Sequence, residues 1–144
     1  MITTDELKNI LLRRVKESSL NSIPEIKKDK HRPVTKETVA ERVVVTINGT
    51  SNTPWQISYG HVCVYVPDVS TIEEGVTYNE SNSARLGELE KVCVDMFHGT
   101  NLLRKGEDII YYEMVEPLKI EEDPETWSHF INVRLKFTNT NFKK

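Results

Sequence analysis

The sequence predicts an α+β fold: a mainly antiparallel sheet of two hairpins with two helices packed on one face, in the order α-β-β-α-β-β. Three observations predict it. Residues Ser83–Gly99, SARLGELEKVCVDMFHG, place Leu86, Leu89, Cys93, Met96 and Phe97 at helical spacing on one face, with Arg85, Glu88, Lys91 and Asp95 opposite. β-Branched, strand-like sequence lies on both sides of that helix. A second amphipathic stripe, Leu7, Ile10, Leu11 and Val15, opens the chain.

The first helix is expected over residues 4–19. Thr3 and Glu6 form a T-x-x-E capping box at its start, and Asn21, Ser22 and Pro24 stop it. Residues 21–37 read as a loop rich in cations: Lys27, Lys28, Lys30, Arg32 and Lys36 against Asp29 and Glu37. A hairpin follows at 42–48 and 55–66, with turn chemistry in Asn48–Pro54. Its second strand carries apolar or aromatic groups on both faces, which predicts cover on both: helices on one, a partner subunit on the other. Residues 67–82 read as a long connection in which Ile72, Val76 and Tyr78 pack against a neighbour. The central helix is capped by Ser81, Asn82 or Ser83 and stopped by Gly99. Val92 and Val94 widen its apolar arc towards a neighbouring subunit. After the loop TNLLRKGED, strands at 109–115 and 127–137 form the second hairpin around the turn EEDPETW. The tail, NTNFKK, is expected to fray.

Bulk properties exclude several classes. The 144 residues suit one domain spanning 1–144, long enough to bury a core without staples. A net charge of −3 is not the basic surface that general nucleic-acid affinity needs. Charges interrupt every apolar run of the N-terminus, so no signal peptide is read there, and no run reaches membrane-spanning length. Cys63 and Cys93 sit among apolar neighbours and are expected as buried free thiols.

Catalytic motifs are absent from the sequence. His31, His61, His98 and His129 form no H-x-x-x-H spacing, and C-x-x-C, G-x-S-x-G and both glycine-rich phosphate motifs are missing. No cofactor and no metal is expected. Glu73-Glu74 and Glu121-Glu122-Asp123 read as solvated charge. Trp55 and Trp127 read as caps at the edge of the core. The charge distribution is more informative. Residues 107–125 carry Glu107, Asp108, Glu113, Glu116, Glu121, Glu122, Asp123 and Glu125 against Lys119 alone. Separated patches of opposite sign allow head-to-tail docking between copies, which closes into rings or runs on as filaments. The subunit contacts expected are Lys27, Lys28, Lys30 and Arg32 on one side, and Glu121, Glu122, Asp123 and Glu125 on the other.

The order of a short N-terminal helix, the hairpin RVVVTING…ISYGHVCVYVPD, the helix ARLGELEKVCVDMFHG and the closing pair IIYYEMVEPLKIEED and ETWSHFINVRLKF resembles the tail-terminator or tail-completion proteins of long-tailed bacteriophages and prophages. The resemblance implies a non-enzymatic structural protein of the virion tail, assembled in the bacterial host cytoplasm. It implies a ring, commonly a hexamer, at the end of the tail tube, which stops tube polymerisation and presents a surface to the head-side connector. It implies no membrane contact, no specific nucleic-acid binding and no catalytic residue. A head–tail adaptor or connector is the neighbouring alternative. A small α+β enzyme or ligand-binding domain is the alternative of a different class, with Tyr59, His61 and Glu73 around a pocket between helix and sheet.

Overall fold

A computed structural model describes residues 2–29, 40–52 and 56–139, with backbone alone at 50–52. Helix α1, Thr4–Lys16, begins as its capping box dictates: Thr3 Oγ1 accepts from the Glu6 backbone N–H at 3.1 Å and donates to the Glu6 carboxylate at 3.0 Å. It stops at Lys16, short of residue 19. Ser18 Oγ donates to the Val15 carbonyl and accepts from the Leu20 N–H, starting a separate 3-10 turn at Ser19–Ser22 that buries Leu20.

The strands are β1 (Glu25–Lys28), β2 (Arg42–Asn52), β3 (Gln56–Pro67), β4 (Val69–Glu73), β5 (Val76–Glu80), β6 (Asn101–Lys105), β7 (Asp108–Met114), β8 (Lys119–Asp123) and β9 (Ser128–Asn139). Helix α2, Ser83–Phe97, lies between β5 and β6. Seven strands form one sheet in the order β1-β2-β3-β9-β7-β6, with β8 pairing β9 beyond the end of β7. β4 and β5 form a sheet of their own.

The α+β class holds, but the sheet departs from the predicted two-hairpin order. β1 lies parallel to β2, within what reads as a loop. Its four residues contain one apolar side chain, Ile26, and its partner is distant in the chain, so no local pattern marks it. The stretch after α2 forms strand β6, and most of the acidic turn at 121–127 is strand β8 and a short 3-10 turn. The 67–82 connection is the β4–β5 hairpin. In the tail, Asn139 is buried as the last residue of β9; residues 140–144 lie outside the described part, as does Trp55.

Alternation places Val43 and Val45, Val62 and Val64, and Ile131, Val133, Leu135 and Phe137 on one face of the sheet. Both helices cover that face with Leu7, Leu11 and Val15 of α1 and Leu86, Leu89, Cys93 and Phe97 of α2. Each such side chain contributes about 1.5–3 kcal/mol on burial. At one end of the core, buried Gln56 accepts from the Ile2 N–H at 3.0 Å and from Asn139 Nδ2 at 3.1 Å, tying the N-terminus to β3 and β9. Arg85 grips Glu41 with Nε and Nη2 at 2.7 and 2.9 Å, fastening α2 to the chain entering β2. Among the described residues no helix is long and apolar enough to cross a membrane.

Candidate assembly surfaces

The sheet face away from the helices carries its own dressing. On β3 it presents Tyr59, His61, Cys63 and Tyr65; on β9 it presents Phe130, Asn132, Arg134 and Lys136. At one side Tyr65 stacks on Phe130 with centroids 4.7 Å apart, and the Arg42 guanidinium lies 4.3 Å from the Tyr65 ring centroid. Burial lowers the Arg42 pKa, while Tyr65, Asp123 and Glu25 act in the opposite direction. In the centre His61 Nδ1 lies 2.9 Å from Asn132 Oδ1, and Asn132 Nδ2 donates to Glu121 at 2.6 Å. The Asn132 oxygen can only accept, so His61 Nδ1 carries the proton. Arg134 meets Glu116 at 3.0 Å and holds its carboxyl below the usual range.

The residues expected at subunit contacts fall on two flanks of the sheet. Lys27 is exposed on the edge strand β1. Lys28 is engaged within the chain, donating to Asp5 at 3.0 Å and Asn9 at 2.8 Å on α1; its ammonium holds the Asp5 carboxyl below its ordinary value. Lys30 and Arg32 lie outside the described residues. Glu121 and Glu122 are exposed on β8, Asp123 is half-buried at its end, and Glu125 is exposed on the following 3-10 turn. Tyr59 and His61 share the open face of β3, whereas Glu73 lies on the separate β4–β5 sheet. The structure therefore does not gather that trio into one site. Val94 of α2 is 42% exposed.

The β4–β5 hairpin is the surface the sequence reading missed. Every residue from 69 to 80 is exposed, including Val69, Ile72, Val76 and Tyr78. Glu74 and Gly75, both at positive φ (50° and 78°), make the two-residue loop. An x-Gly pair between β-branched runs is the local signal that marks it. At its root, Asp68 N–H donates to the Trp127 carbonyl at 2.8 Å, and the Asp68 carboxylate meets His129 Nδ1 at 2.6 Å. The hairpin is thus anchored to the start of β9 while its strands stand clear.

Both cysteines are free thiols: Cys93 is buried as expected, whereas Cys63 is half-buried, because its strand position faces away from the helices. Burial, with a smaller push from Glu121, raises the Cys63 thiol to about 12. Burial and Glu90 raise Cys93 to about 12. With the ordinary value at 9.0, the thiolate fraction at pH 8 falls roughly a thousand-fold. Iodoacetamide at pH 8 is expected to leave buried Cys93 unmodified in the native protein, to label half-buried Cys63 more slowly than in the unfolded chain, and to label both in guanidinium; native labelling of Cys93 as fast as in guanidinium would overturn its burial. The sign for stability follows. The folded thiols keep protons that the unfolded chain releases, so stability falls as pH rises from about 9 towards 12.

No protein-family model and no curated protein matches the chain. A solved structure whose name states no activity shares the fold, with a TM-score of 0.53 over 96% of this chain and 93% of its own, at 12% identity. At that identity the likeness is one of fold alone.

Proposed function

We propose that this protein is a structural subunit of a long-tailed phage or prophage, forming a ring at the end of the tail tube that stops tube polymerisation and presents the head-joining surface. The observation that carries the self-assembly part is the β4–β5 hairpin. A two-stranded hairpin is marginally stable in water by itself, and this one exposes Val69 at 41%, Val76 at 50% and Tyr78 at 47% on one face. Exposed apolar side chains grouped on a protruding element mark an interaction site. The choice of a tail-end ring among assemblies rests on the sequence resemblance carried by RVVVTING…ISYGHVCVYVPD and ARLGELEKVCVDMFHG. The acidic balance of the chain suits a pore through which DNA slides without being gripped. Within such a ring, Lys27 and the exposed Glu121, Glu122 and Glu125 serve as complementary charges on the two flanks of the sheet.

Mass photometry and light scattering test this reading. The expected result is one discrete oligomer, seen as rings by negative-stain microscopy. A strict monomer at high concentration and low salt overturns it.

A further inference from the structure

We infer that the β4–β5 hairpin of one copy seats in the groove between α1 and β6 of the next copy. The inference rests on the ring reading and names its contact. The groove encloses about 700 Å³ along the outer turns of α1 and the terminal strand β6. Arg13, Arg14 and Arg104 line it, with Ile10 and Leu102 as its apolar patches. Glu6 at its rim is already paired with Lys105, which leaves Glu17 as the other carboxylate of the lining. Among the described residues Arg13, Arg14 and Arg104 form no ion pair, and all three are exposed.

The hairpin has the complementary chemistry. Residues 69–80 carry Glu73, Glu74 and Glu80 and no cation. Val69, Val76 and Tyr78 share one face of it, since Glu73 opposes Val76 and Thr71 opposes Tyr78. Acidic groups beside apolar ones therefore meet arginines beside Ile10 and Leu102. β6 ends the sheet and offers unpaired backbone groups along its edge. It is five residues long, as are β4 and β5.

Topology makes the occupant a second copy. The hairpin leaves the sheet where Pro67 opposes Ser128 at the start of β9. The groove lies beyond the other end, where Ile110 of β7 opposes Asn139. The 12 residues of β9 span about 40 Å, against about 17 Å for a five-residue strand. A hairpin rooted at one end cannot fill the groove at the other. The contact is consequently heterologous, one patch giving and the other receiving, as ring closure requires. Lys27 on β1 is a weaker seat for the same acidic arm: one cation against three.

A charge-swap experiment tests this. The hairpin variant carries Glu73→Lys, Glu74→Lys and Glu80→Lys; the groove variant carries Arg13→Glu, Arg14→Glu and Arg104→Glu. Circular dichroism and melting curves confirm that each is folded. Each variant alone is expected to fall to monomer under conditions where the wild type is oligomeric, with apparent affinity at least about tenfold weaker. An equimolar mixture is expected to regain the wild-type mass, because each altered patch meets its altered partner. An unchanged oligomer in either variant, a mixture that stays monomeric, or dissociation by Lys27→Glu alone with the groove variant intact overturns the hairpin seat and leaves the ring reading standing. A monomeric wild type overturns the ring reading itself.

Discussion

Replacing Phe97 by alanine is expected to lower stability by about 3–5 kcal/mol, the range for truncating a buried aromatic ring. In a chain of this size that shifts Tm by roughly 6–20 °C. Phe97 is the last residue of α2 and is 1% exposed. Its ring meets Tyr112 of β7 edge-on, with centroids 6.4 Å apart, and Tyr112 in turn stacks on Phe137 of β9 at 5.7 Å. One truncation therefore removes apolar burial, the edge-to-face contact and the anchor of the helix terminus. Urea unfolding followed by circular dichroism measures it. A loss below about 1 kcal/mol would mean that the end of α2 relaxes into the void, because the cost of a cavity depends on how fully the site collapses. Tyr112→Phe serves as a control. It keeps both ring contacts and is expected to change stability by less than Phe97→Ala.

The same helix shows which features of the fold are local enough to be legible. Its stripe of Leu86, Leu89, Cys93 and Phe97 is buried as periodicity requires, and Asn82 caps it by accepting from the Arg85 N–H at 3.3 Å. β2, β3, β7 and β9 are also legible, because each is rich in β-branched or aromatic residues, and β9 in addition alternates in period with the pleat. The strands that were missed lack this internal evidence. β1 and β8 are short and charged, and each is a strand because a longer apolar strand offers it an edge: β2 for Glu25–Lys28 and β9 for Lys119–Asp123. In the β4–β5 hairpin only β5 alternates, with Val76 and Tyr78 against Thr77 and Asn79, and the length and polarity of the segment resemble a connecting loop; the Glu74-Gly75 turn distinguishes it. The arginine groove is illegible for another reason. Arg13 and Arg104 are far apart in the chain, and the docking of α1 beside β6 alone brings them together. Of the charged residues read from the sequence, Lys28 shows the corresponding error: composition counts its charge as available, whereas Asp5 and Asn9 hold it.

A second large effect is expected at Gly60, where β3 passes the irregular part of β2. A Cβ built on Gly60 would lie 2.4 Å from the Thr46 backbone oxygen and 2.8 Å from Ile47 Cδ1. Ile47 opposes Gly60 in the register, and the ladder steps immediately afterwards, between Ile47 and Gly49. The missing side chain thus lets the two backbones approach closely at the bulge. Two effects oppose one another in Gly60→Ala. Reduced freedom of the unfolded chain favours alanine by about 0.4–1 kcal/mol where the backbone is compatible. Crowding in a packed interior costs about 1–3 kcal/mol, and the upper part of that range applies because the obstructing atom at 2.4 Å is backbone rather than the end of a side chain. The cost wins, and a net loss of about 2 kcal/mol is expected, or roughly 4–8 °C in Tm. Hydrogen exchange separates this from a general weakening. Amides of β2 from Thr46 to Gly49 are expected to lose protection first, while the Phe97–Tyr112–Phe137 end of the core retains it. A variant as stable as the wild type would show that the bulge at Gly49 gives way freely, so that close approach at Gly60 is a consequence of the register and not a requirement of it.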